Sequence, residues 1–206
     1  MKQTHFKYAI VVCCVVSISC GQSTSVTNKP VVDTTAAIQT PADTTEMQQV
    51  IIPGAQLGHI MLGLNADSIE TLLGKPDSSD AAMGKAWLTW KGKETKQTKL
   101  QVYTTYKDTS MRERTVQQIY TTSPHFKTNT GLHVGSELAV IKTGFPDLKK
   151  TAVYTESGTP VELYDAIAEG IAFEIKRSVC AGIIIHKKEQ RADAVYIMLH
   201  PNMKRL

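Results

Sequence analysis

Two stretches of this chain share a pattern of glycine and proline that limits what the chain can fold into. Each stretch has a glycine, a short run of mixed polarity, and a second glycine followed two residues later by proline: Gly63, Gly74 and Pro76 in the first, Gly135, Gly144 and Pro146 in the second. Asn65 and Ser136 stand where a side chain can cap the free amides of a new helix. Glycine permits a left-handed closing residue, and the proline prevents continuation. The pattern predicts two short helices.

Segments typical of β-strands follow each predicted helix. In the first half they are Lys85–Lys91, Lys99–Tyr106 and Arg114–Thr121, and in the second half 151–155, 170–176, 182–187 and 192–200, with 188–191 as a hairpin loop. Apolar residues recur at every second position in 171–175 and 195–199, which favours a sheet with one face against a helical layer. The sequence therefore predicts an α+β fold of two tandem units, each a short helix followed by antiparallel strands, in a sheet with one face covered by helices.

The amino terminus has the order of a bacterial export signal. Lys2 and Lys7 precede a mostly apolar run that ends at Ile18, and Ser19 places a small residue directly before Cys20. This arrangement resembles the lipoprotein signal, in which a peptidase cuts before a cysteine that carries lipid. The apolar run is too short to span a bilayer, which needs about 20 residues. We expect residues 1–19 to be the signal peptide and Cys20 the lipidated first residue of the mature protein.

Residues 20–50 read as a linker and residues 51–206 as one globular domain. The linker is rich in Ser and Thr and contains no aromatic residue, so it offers no core to offset the entropy of ordering it. The remaining length suits a single domain, which we divide into repeats of about 53–125 and 126–206. Such a protein would be exported and held by lipid in the bacterial cell envelope, and we expect the outer membrane.

Composition and motifs exclude several classes of function. A formal net charge of +4 is too small to indicate nucleic-acid binding. No nucleophile elbow, metal-binding helix or paired cysteine motif occurs, so we expect no catalytic residues, no metal and no cofactor. His133 and His186 are interpreted as ordinary strand residues. Glu174 and Asp193 are interpreted by default as a solvated pair, and Cys180 as a small buried hydrophobic residue.

A family resemblance rests on the glycines and on spaced apolar residues. Residues 60–63, the capped helix, residues 73–77, Trp90 and residues 116–119 resemble the SmpA/OmlA (BamE-like) lipoproteins of the outer-membrane barrel-assembly machinery. The doubled arrangement is similar to the β-lactamase inhibitor protein. The resemblance covers about residues 53–200 and implies the tandem fold. Function transfers from it only as an analogy.

Aromatic residues occur at alternate positions of the predicted strands, so they point to both faces of the sheet. Leu88, Trp90, Leu100 and Val102 are assigned to the core side, which leaves four candidates for an exposed recognition face: Trp87, Tyr103, Tyr196 and Met198. The alternative is that a loop or the other helix covers these residues as a second core. We expect a non-enzymatic module that binds an envelope protein through its sheet face. An inhibitor of an envelope or extracellular hydrolase and a small enzyme using Cys180 are the alternatives; the oligomeric state is left open.

Overall fold

A nine-stranded antiparallel sheet dominates the structure, a computed structural model that describes residues 49–92 and 97–206. The elements follow one another along the chain as β1 Val50–Ile52, β2 Gln56–Leu57, β3 Ile60–Met61, α1 Ala66–Leu73, β4 Ser78–Ala82, β5 Lys85–Lys91, β6 Lys99–Tyr106, β7 Arg114–Thr121, β8 Lys127–Thr128, α2 Leu138–Gly144, β9 Lys149–Glu156, β10 Thr159–Ala166, β11 Ile171–Lys176, β12 Val179–His186 and β13 Lys204–Arg205.

Two antiparallel meanders make up most of the large sheet. Its strand order is β13-β9-β10-β11-β12-β7-β6-β5-β4, so the last strands of the two meanders, β7 and β12, pair with each other. In this seam Ile119 lies opposite Ile185. A smaller sheet has the order β3-β2-β1-β8, in which β1 and β8 run parallel and the other neighbours antiparallel.

The predicted α+β class is wrong, because the protein is mostly β. Strands hold 46% of the described residues and helices 10%, so the helices are too short to form a layer over the sheet. Helix α1 buries only Ala66 and Ile69, and α2 buries only Ile141. The small sheet supplies further cover through Ile51 and Leu57. Strand pairing, not helix packing, therefore organises this fold.

The first face of the large sheet carries an aliphatic core. Val102, Ile119, Phe173 and Ile185 lie on it together with Ile69 from α1, and each is fully buried. Leu100 and the half-buried Trp90 pack against the same cluster, as their parity predicted. The alternate residues of each strand point to a second face, which carries a separate cluster that includes Trp87 and Tyr103.

Strands β5, β6 and β7 have the predicted bounds, whereas the carboxyl-terminal prediction fails. The segments 151–155 and 170–176 coincide with most of β9 and β11, and 182–187 with part of β12. Strands β4 and β10 were not predicted. The segment 192–200 is not a strand, although its Val195, Ile197 and Leu199 do alternate toward the sheet. The hairpin predicted at 188–191 is therefore wrong as well, because no strand follows it.

The two helices begin and end differently. At α1 the Asn65 side chain accepts from the amide of Asp67 at 2.8 Å, and Gly74 closes the helix at φ +77°, as predicted. At α2 the capping residue is Glu137, which makes no side-chain cap, while Ser136 Oγ accepts from the amide of His133 at 3.0 Å. The last residue of α2 is Gly144, which does not take a left-handed conformation, so its predicted closing role is wrong.

The other predicted turn positions lie in loops outside the helices. Gly63 and Gly135 both have positive φ, at +84° and +107°, and precede α1 and α2 respectively. Pro76 lies between α1 and β4, and Pro146 between α2 and β9. Each helix therefore ends before its proline, in agreement with the inability of proline to continue it.

Candidate functional site

The second face of the sheet is covered by an irregular segment, residues 191–203, which we call the strap. Beneath it lie Trp87, Tyr103 and Tyr120, whose rings pack with Val195, Ile197 and Leu199 of the strap. Trp87 is 3% exposed and Tyr103 2%, with ring centroids 5.0 Å apart. The prediction that these two residues form an exposed recognition face is wrong, because the alternating apolar residues of the strap bury them as a second core.

The beginning of the strap is fixed by a buried ion pair and its hydrogen bonds. Asp165 on β10 and His186 on β12 are almost fully enclosed, and His186 Nε2 lies 3.0 Å from Asp165 Oδ1. The other carboxylate oxygen, Oδ2, accepts from the amide of Ala192 at 2.8 Å. Gln118 on β7 donates its side-chain amide to the carbonyl of Ala192, also at 2.8 Å. Two strands thus bond directly to Ala192, and His186 on a third strand holds the Asp165 carboxylate.

The far end of the strap is held by a second buried carboxylate. Glu174 on β11 accepts from Tyr120 Oη at 2.8 Å and lies 2.7 Å from His200 Nε2. The His200 ring stacks on Tyr154 with centroids 4.0 Å apart. Burial, followed by the neighbouring Glu174 charge, raises the pKa of Tyr120 and of Tyr154, so both phenols stay protonated and available as donors. Gly182 leaves the room for this network, since a Cβ there would lie 2.6 Å from the Tyr120 ring.

A third buried carboxylate, Asp193 in the strap, lies beside two arginines. Arg191 donates from Nε and Nη2 to the buried carboxylate of Asp193 at 2.8 and 2.7 Å, and also to the carbonyl of Thr151. Arg205 on β13 lies 3.7 Å from the same carboxylate. Hydrogen bonding to Asp193 raises the pKa of Arg191. Glu174 and Asp193 are therefore both buried with separate partners, and their default interpretation as a solvated pair is wrong.

The remaining two predicted residues lie on the outer surface of the strap, where Tyr196 is exposed and Met198 is partly covered. Tyr196 is 62% exposed, and Lys85 Nζ lies 4.6 Å above its ring centroid. Met198 is half-buried, with Arg205 Nη2 3.6 Å from its sulfur. An open groove of about 570 Å³ runs between Val195, Tyr196, Met198, Met203 and Arg205. Tyr, Met and Arg are enriched in protein interfaces, and the cationic rim formed by Lys85 and Arg205 favours an acidic partner.

Sequence reasoning missed the residues that hold and flank this surface. Lys85, Gln118 and His200 come from three distant parts of the chain, and no motif links them. The one available signal was the odd composition of 188–200, where polar and charged residues interrupt an otherwise strand-like alternation.

The Cys180 thiol is enclosed and unreactive. It is 2% exposed and donates to the carbonyl of Gly182 at 3.4 Å. Burial raises its pKa to about 12, so almost no thiolate forms at neutral pH.

Two further kinds of feature are absent from the described part of the chain. Within residues 49–92 and 97–206, no three His, Cys, Asp or Glu side chains converge as a metal site. None of the helices there is long and apolar enough to cross a bilayer. The lipidation residue Cys20, the signal peptide and nearly all of the linker lie outside the described residues, apart from Gln49 and Val50, the latter the first residue of β1.

Comparison with known proteins gives no relative for this chain. No family model matches it, and neither the curated proteins nor the solved structures give a match. The resemblance to the SmpA/OmlA lipoproteins and the division into two repeats therefore stay predictions.

Proposed function

We propose that this chain is a lipid-anchored lipoprotein of the bacterial cell envelope and that its domain binds another envelope protein without catalysing a reaction. The observation that carries the binding role is the outer surface of the strap, where the exposed Tyr196 and the half-buried Met198 lie beside Lys85 and Arg205. The binding surface is thus the outer side of the strap and not the sheet face that the strap covers.

The physical basis of this proposal is that buried residues hold the strap in a fixed position. Three buried carboxylates, Asp165, Glu174 and Asp193, fix the strap, so its outer side chains are presented on a rigid support. A preorganised surface loses little entropy on binding. The open groove beside Tyr196 suits a side chain of a partner, not an enclosed substrate.

Photocrosslinking tests the binding role directly. p-Benzoylphenylalanine in place of Tyr196 is expected to yield one discrete adduct in intact cells. The matched control replaces Tyr106, a 38% exposed tyrosine at the far end of β6. An identical adduct pattern from both positions, or none from position 196, contradicts the proposal. A hydrolase in the adduct would identify the inhibitor alternative.

Truncation of the same residue gives the expected size of the effect. Tyr196→Ala should weaken capture of the crosslinked partner by about thirtyfold, the loss that defines a binding hot spot. Its Tm should fall by no more than about 2 °C, because the ring buries little area. Met111→Ala, at a 65% exposed methionine away from the strap, is the control and should leave capture unchanged.

The anchor is tested separately from the domain. Cys20→Ala should abolish incorporation of labelled fatty acid and release the protein from membranes, because the acyl chains supply the membrane affinity. Undiminished labelling of that variant contradicts the anchor and leaves the binding role intact.

A further inference from the structure

The edge of the large sheet at β4 is open to another strand. All five residues of β4 are exposed, and β5 is its one neighbour among the described strands. The β4–β5 register is continuous over five pairs without a bulge. Alternate residues of an edge strand direct their N–H and C=O groups outward. Strand β4 contains no lysine, proline or bulge, and Asp80 is its one charged residue.

A groove lies along β4 on the second face of the sheet. Its volume is about 280 Å³, and it is lined by Ser78, Asp80, Trp87, Thr89, Met198 and Pro201. Asp80 lies directly opposite Trp87 in the strand register, and opposed residues of antiparallel strands share a face. The groove is therefore where alternate side chains of an added strand would enter.

Asp80 sets the chemistry that this groove would accept. Its carboxylate is the one charged group in the lining, and no hydrogen bond or ion pair reaches it from the part of the chain that the structure describes. Met198, Leu199 and Pro201 form the apolar wall facing it. An unpaired carboxylate against an apolar wall fits a side chain with an aliphatic stem and a cationic end.

We infer that β4 binds an extended segment of a partner protein as a tenth strand, with a lysine or arginine of that segment in the groove beside Asp80. Strand addition of this kind draws affinity from the main-chain hydrogen bonds and specificity from the pocket. This inference rests on the proposed binding function, and Met198 connects the two, since it lines both the strap groove and the β4 groove.

The test uses a synthetic peptide and the full chain in detergent micelles. Acetyl-Ser-Val-Thr-Lys-Thr-Val-Ser-amide should shift the amide NMR resonances of residues 78–82 and slow hydrogen exchange at the outward amides. Replacing the peptide lysine by glutamate should weaken binding about fivefold or more. Two further versions of the peptide are N-methylated, one on its odd-numbered and the other on its even-numbered residues. Each version therefore lacks the N–H donors along one edge of the added strand. One should bind about thirtyfold more weakly and the other nearly unchanged.

Variants of the protein separate charge recognition from strand pairing. Asp80→Asn should remove the preference for lysine over glutamate while retaining peptide binding, and Asp147→Asn, at an exposed carboxylate elsewhere, should change neither. Equal binding of both N-methylated peptides, shifts confined to residues outside β4, β5 and the groove-lining segment 198–201, or no binding of any peptide overturns the inference.

Failure of this inference differs from failure of the proposed function. If Tyr196→Ala abolishes partner capture while Asp80→Lys leaves it unchanged, the β4 site is refuted and the strap surface stands. If the peptide binds as described but no partner is captured at Tyr196, the β4 site stands and the proposed function falls.

Discussion

The two faces of the large sheet are covered in different ways. The first face packs aliphatic side chains such as Ile69, Ile119 and Ile185 against short helices and a small sheet, and its stability comes from apolar burial. The second face is covered by the strap, whose position depends on buried carboxylates at Asp165 and Glu174. Apolar burial is non-directional, whereas these ion pairs and hydrogen bonds require particular partners. The first face should therefore tolerate conservative change that the second face does not.

The largest expected loss in the free energy of unfolding comes from truncating a side chain in the core of the first face. Phe173 is fully buried, and its ring centroid lies 5.4 Å from that of Phe145. Phe173→Ala should lower the free energy of unfolding by about 4 kcal/mol, while Phe173→Leu should cost much less because it refills most of the volume. Urea unfolding of the full chain measures both. Similar losses for the two variants would show that this face, too, depends on particular residues.

Removing one buried charge should cause the second-largest loss in the free energy of unfolding. Asp165→Asn replaces one of the two carboxylate oxygens by an NH2 group, so either His186 Nε2 or the Ala192 amide loses its acceptor; this should cost about 3 kcal/mol, the lower end for breaking a buried pair. The matched control is Glu162→Gln on the same strand. That carboxylate binds Lys150 at 2.7 Å but is partly exposed, so its loss should cost less than about 1 kcal/mol. Equal effects in urea unfolding would remove the special role of buried charge on the second face.

A smaller effect is expected from crowding the Glu174 network. Gly182→Ala places a Cβ 2.6 Å from the Tyr120 ring and 2.8 Å from Glu174 Oε2, which should cost about 2 kcal/mol. Gly144→Ala in α2 is the first-face counterpart. Its Cβ meets only Leu132 Cδ1 at 3.0 Å, and alanine favours a helix, so the change should be close to zero. A neutral Gly182→Ala would mean that the network can shift.

The smallest stability effect in this series concerns the two indoles. Trp87 donates its indole N–H to the carbonyl of Ile197 under the strap, and Trp90 donates to the carbonyl of Gly74 at an exposed site, both at 2.9 Å. Trp87→Phe should cost about 1.5 kcal/mol because a partly buried carbonyl under the strap loses its donor. Trp90→Phe should cost about 0.5 kcal/mol, since water can replace the bond. Thermal unfolding of both variants measures the two losses of stability. A larger loss for Trp90→Phe than for Trp87→Phe would contradict this prediction.

Local patterns predicted part of this fold well. Strands β5 to β7 have clear alternation and polar turns, and α1 has both Asn65 as its cap and Gly74 at its end. Strand β4 has no such signal, because all its residues are exposed and its existence depends on pairing with β5. No local pattern indicated that two short helices would leave most of the sheet to be covered by other segments.

The candidate site was only partly predictable for a related reason. Trp87 and Tyr103 were correctly assigned to the second face, but parity does not say whether a face is open. Alternation in 195–199 was interpreted as a strand, although an irregular segment with the same spacing can also bury every second side chain. The decisive contacts, such as Gln118 to Ala192, join residues far apart in sequence and have no local signal.

Hydrogen exchange of the Trp87 indole N–H tests most directly whether the strap closes the second face. In the full chain this proton should exchange at least about a thousandfold more slowly than the Trp90 indole proton, because its release requires the strap to open. The same experiment on Asp165→Asn should show faster exchange at Trp87. Exchange at Trp87 as fast as at Trp90 in the unaltered protein would contradict the account and return the aromatic sheet face to the surface.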